Sequence, residues 1–110
     1  MSVTAIEATL DKSAALADTR ASLPELIVVA AALKAHIADL LPAAETEADG
    51  LWRGGLEWCG LRARLDIARR HTSDDMPLSP LSAQVHVALL RRDCEWLLER
   101  YGTALTGVAS

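Results

Sequence analysis

The stretch SPLSAQVHVALLRRDCEWLLERYG, residues 79–102, decides the fold. Ser79 before Pro80 is a helix start: the hydroxyl accepts from free first-turn amides, and a proline there loses no hydrogen bond. Gly102 after Tyr101 predicts a left-handed stop. In between, at about 100° per residue, the apolar side chains fall on two stripes. Leu81, Val85, Leu89 and Trp96 make one; Ala83, Val87, Leu90, Cys94, Leu98 and Tyr101 make the other. A helix apolar on two sides must be covered on two sides.

Upstream, residues 71–80 are rich in Pro, Ser and Asp and read as a loop. Before it, a helical period runs from Ala43 to Arg70, about 42 Å if unbroken. One stripe holds Leu51, Gly54, Trp58, Leu61, Leu65 and Ala68; the other holds Trp52, Leu56, Cys59, Ala63 and Ile67. Arg53, Glu57, Gly60 and Arg64 fill a polar sector. Each interior glycine costs up to ~1 kcal/mol, so a break at Gly54–Gly55 competes with continuity. The period passes through without a phase slip, which predicts one continuous helix.

The second helix starts at Ser22, with Pro24 in its first turn and Glu25 completing a capping box. It ends before Pro42, which biases Leu41 away from helical angles. A short first helix spans Thr4 to about Asp18. The expectation is an all-α four-helix bundle in one domain, residues 1–110. Its core is 22–101, residues 1–3 and 103–110 are flexible, and its long third and fourth helices are antiparallel. Two double-sided helices exceed the cover that two short partners give, so the bundle is expected to be a homodimer.

The net charge of −4 argues against a dedicated nucleic-acid binder. Residues 1–50 hold three Lys/Arg against eight Asp/Glu, and residues 51–110 hold eight arginines against seven acids. Arginine forks suit bidentate pairing with carboxylates, within the chain or between copies. The longest apolar run, Leu26 to Leu33, stops at Lys34, short of the ~20 residues that span a bilayer. No basic stretch precedes an apolar block at the amino terminus, so a cytoplasmic chain is expected. Cys59 and Cys94 read as reduced, buried small side chains. Three scattered histidines supply no metal set, and no cofactor is implied.

One constellation has the ingredients of acid–base chemistry. His86 and Asp93 lie two turns apart between the stripes of the last helix, and Arg62, Asp66 and Arg69 lie in the matching gap of the third. Antiparallel packing would set Asp66 opposite His86 and let Arg62 reach Asp93. A histidine oriented by a carboxylate can act as a general base. The same residues also make a buried polar network that fixes helix register, with each charge paired. Trp52, Trp58 and Trp96 are spaced for burial, as core or as walls of a ligand pocket near the glycine pair. His36 reads as a satisfied or exposed histidine.

The segments HIADLLP (36–42), LWRGGLEW (51–58), RARLD (62–66), LSAQVHV (81–87) and DCEWLL (93–98) together resemble a known family. It comprises small helical proteins of unknown function from GC-rich soil bacteria, labelled natural-product biosynthesis proteins. The resemblance spans residues 23–101 and implies a setting in specialised metabolism, with no reaction or catalytic residue to carry over. The sequence departs from the pattern at Cys59, where an aromatic residue is expected. The expected function is a non-enzymatic interaction or accessory protein acting as a homodimer, with room for a further protein partner. The alternative is a small biosynthetic enzyme or ligand binder with a tryptophan-lined pocket, using His86 with Asp66 or Asp93.

Overall fold

The computed structural model describes residues 3–106 and contains four helices: α1 (Val3–Ala17), α2 (Leu23–Gly50), α3 (Leu56–Ser73) and α4 (Pro80–Thr106). The all-α four-helix bundle expected from the sequence is what the chain forms. Two starts follow the expected chemistry. The Ser22 hydroxyl accepts from the Glu25 amide at 3.4 Å, and the Ser79 hydroxyl accepts from the Ser82 amide at 3.2 Å. α1 begins at Val3, so Thr4, where the first helix was expected to start, lies inside its first turn.

The boundary between the second and third helices is displaced. Pro42 sits inside α2, which continues to Gly50. Pro42 and Ala38 both lie on the solvent face, where water can serve the Ala38 carbonyl that proline leaves without its helical donor. Thr46 Oγ1 donates to the Pro42 carbonyl at 3.0 Å. The chain breaks instead at residues 51–55. The Gly55 amide donates to the Trp52 carbonyl at 3.1 Å, and Gly54 adopts φ +86°, which a tight turn of this type needs at its third position. The expected continuous third helix is therefore divided between two helices, and the long ones are α2 and α4.

Two other ends also differ. α3 runs through His71 to Ser73, which shortens the expected 71–80 loop. α4 passes Gly102 without stopping: a β-carbon there would meet Leu98 Cδ1 at 3.1 Å and Val3 Cγ2 at 3.9 Å. That glycine is a notch for the start of α1. Of the ends expected to be flexible, residues 1–2 and 107–110 lie outside the described residues.

α2 and α4 form the central pair and run parallel. α1 packs antiparallel along one groove of the pair and α3 along the other; α1 and α3 make no contact with each other among the described residues. The section is thus a flattened rhombus, and the molecule measures 45 × 31 × 18 Å. Leu26, Leu33, Ile37 and Leu40 from α2 meet Leu65 from α3 and Leu90 and Leu97 from α4 in a fully buried core, with Ile6 closing the α1 side. By length and composition α2 could cross a membrane, with mean hydropathy 1.7 over its most apolar window; 39% of that window is buried in the bundle.

Candidate functional site

The α3–α4 seam holds a buried carboxylate. Arg64 and His71 stand two turns apart on one side of α3, and Asp93 projects from α4 between them. Asp93 is 2% exposed. Its Oδ1 accepts from Arg64 at 2.7 Å, and its Oδ2 lies 2.5 Å from His71 Nδ1. An ionised carboxylate only accepts, so Nδ1 donates and the imidazole is held in one orientation. Nε2 of His71 makes no hydrogen bond among the described residues. The seam opens on a cleft of about 370 Å³ walled by Ile67, Leu89 and Arg92. Arg64 also lies over the Trp96 ring, 4.8 Å from its centroid, and Trp96 meets Tyr101 edge-on at 6.0 Å. A second cleft of about 420 Å³ lies along Leu61, Arg64, Trp96 and Arg100.

The expected His86 pairings do not form. Asp66 is exposed and engages Arg62 at 3.7 Å within its own helix. Arg62 reaches α2 and not Asp93: it forks onto Glu45 at 3.0 and 3.2 Å, and Arg69 bonds the same carboxylate. These arginines face different partners because 100° steps carry Arg62 and Arg69 toward α2 and Arg64 toward α4. The Arg62 guanidinium holds the Glu45 carboxyl below the usual range. His86 is buried, its Nε2 has no hydrogen-bond partner among the described residues, and burial lowers its pKa. His36 is also pushed down by burial, but its Nε2 meets Thr9 Oγ1 at 2.8 Å.

The tryptophans separate. Trp52 is 85% exposed in the turn, Trp58 is half-buried, and Trp96 lines the second cleft. Neither Trp52 nor Trp58 walls either cleft; the second cleft reaches Leu51 and Glu57 on either side of the glycine pair, and its aromatic wall is Trp96. Cys59 is exposed, contrary to expectation; Cys94 is buried, and burial pushes its thiol up to about 12. Among the described residues no group of three or more metal-ligating side chains occurs.

The double-sided helices each keep one side bare. On α3, Leu65 and Ala68 enter the core while Leu56 stays 93% exposed and Ile67 42%. On α4, Ala83, Leu90 and Cys94 are buried while Leu81 remains 78% and Val85 56% exposed. Val85 and Leu81 border a shallow, mainly apolar groove of about 820 Å³ beside Ala17 and Ala21.

His71, Arg64 and Glu45 were not singled out by the sequence. The loop-like composition after His71 hid the last turn of α3, although the seven-residue spacing of Arg64 and His71 marks one helix face. One family model matches residues 4–106, described as Family of unknown function (DUF6415). No curated protein and no solved structure matches the chain.

Proposed function

We propose, for a chain that belongs to the DUF6415 family of unknown function, a non-enzymatic role as a homodimeric interaction or accessory protein. Its setting is specialised metabolism, as the sequence resemblance implies. The observation that carries the reading is the bare apolar side of α3 and α4, with Leu56, Leu81 and Val85 exposed. The dispersal of His86, Asp66 and Asp93 supports a role without acid–base catalysis by that set.

Sedimentation velocity at micromolar concentration tests the first part. The expected species has about twice the 11.8 kDa chain mass, and Leu81→Asp with Val85→Asp converts it to a folded monomer. A wild-type chain that stays monomeric at high micromolar concentration overturns the dimer. Deleting the chain in its host is expected to alter the output of a specialised metabolite; an unchanged metabolite profile overturns the setting.

A further inference from the structure

We propose that the cleft between α3 and α4 binds a small hydroxylated organic acid, its carboxylate on Arg92 and its hydroxyl on His71 Nε2. The reading does not depend on dimerisation. Four features of the cleft converge on that chemistry. First, the buried acid is already neutralised from within: Arg64 holds one oxygen of Asp93 and His71 the other, so the acid does not repel an incoming anion. Second, Arg92 at the rim makes no ion pair among the described residues, whereas its neighbour Arg91 lies 3.9 Å from Glu95. A guanidinium open to solvent beside an apolar wall is a fork for a carboxylate.

Third, the imidazole is preoriented. With Nδ1 engaged by Asp93 at 2.5 Å, Nε2 is the ring nitrogen left for a ligand hydroxyl, which can both donate and accept. The ring cannot swing away without abandoning a carboxylate that is 2% exposed. Fourth, Ile67 and Leu89 supply apolar walls for a ring or short chain, and about 370 Å³ matches the low end of small-molecule sites. A few convergent polar groups over apolar walls select one amphipathic monoanion and disfavour a purely apolar guest.

4-Hydroxybenzoate is the probe, with benzoate and phenol as controls that each lack one group. In an NMR titration of the labelled chain, 4-hydroxybenzoate is expected to shift the His71 ring nitrogens and the Ile67 methyls saturably. The core methyls of Leu26 stay fixed. The dissociation constant expected for so small a ligand is on the order of 1 mM. Benzoate and phenol each bind roughly tenfold more weakly, the usual loss for one charge-assisted or well-placed hydrogen bond. Arg92→Gln alters an exposed side chain, so it is expected to fold, to lose roughly tenfold in 4-hydroxybenzoate affinity and to bind phenol unchanged. His71→Phe is expected to erase the preference for 4-hydroxybenzoate over benzoate; if it does not fold, the Arg92→Gln comparison decides. Absence of a saturable shift, equal binding of all three probes, or an unchanged Arg92→Gln affinity overturns the proposal.

Discussion

Asp93 shows how one side chain can tie two helices. Its carboxylate is buried while its partners Arg64 and His71 keep side-chain exposures of 27% and 18%. Removing it strands two donors in the seam. Asp93→Ala is expected to destabilise by about 3 kcal/mol, the lower end for a broken buried pair because the partners are partly wet. A fall in the urea midpoint at unchanged slope checks it. His86 is the converse case. Its buried Nε2 has no partner among the described residues, so His86→Leu removes an unsatisfied polar atom; a gain of up to about 1 kcal/mol is expected by the same measurement. The sequence placed Asp93 and His86 on one face of α4 and offered two readings of them, a histidine–carboxylate pair and a polar network that fixes register. The histidine that meets Asp93 is His71. His86 and Asp93 are both half-turned toward α3, and only the extra helical turn at residues 71–73 delivers His71 to the acid.

At the scale of elements, two neighbouring glycines behave oppositely. Gly54 holds φ +86° in the turn between α2 and α3, and alanine is strained there whatever the space. Gly60 lies in α3, where an added β-carbon would meet nothing within 4 Å. Gly54→Ala is therefore expected to lower stability by about 1 kcal/mol, and Gly60→Ala to raise it by roughly 0.5–1 kcal/mol. Thermal melts of the two variants separate these signs. The capping serines at 22 and 79 were legible because cap chemistry is local. The Pro42 boundary was misread because proline's penalty depends on whether the carbonyl one turn earlier can reach water, which only tertiary structure decides. The unbroken apolar period across Leu51–Leu56 misled for another reason. Periodicity records which side chains seek the core, and α2 and α3 point at the same core from both sides of the turn.

For the whole molecule, pH exposes the balance of buried groups. His36 and His86 have lowered pKa values because burial disfavours their cations. The unfolded chain binds protons first, so stability is full above about pH 6.5 and falls as pH drops through the histidine range. Glu45, held down by Arg62, adds a second loss below about pH 4.3. Urea midpoints across this range are expected to show both losses, and the double variant His36→Gln, His86→Leu to flatten only the upper one. The bundle class and the surplus of apolar faces were legible at this scale, because composition and two-sided periodicity bound what a small chain can cover. The central place of α2 and α4 was not, since periodicity ranks faces and not neighbours. The two outer helices make no contact with each other among the described residues, so neither holds the other in place. α1 buries Ile6 and Ser13, packs Leu10 and Leu16 against the core, and bonds the central pair through Thr9 to His36 and through the Leu16 carbonyl to Gln84. In native-state hydrogen exchange the amides of α1 and those of α3 are expected to open as two separate units, each without the other. Peeling that first segment away would leave a three-helix remnant with a newly wetted strip between His36 and Gln84, a natural starting point for trading α1 between two copies.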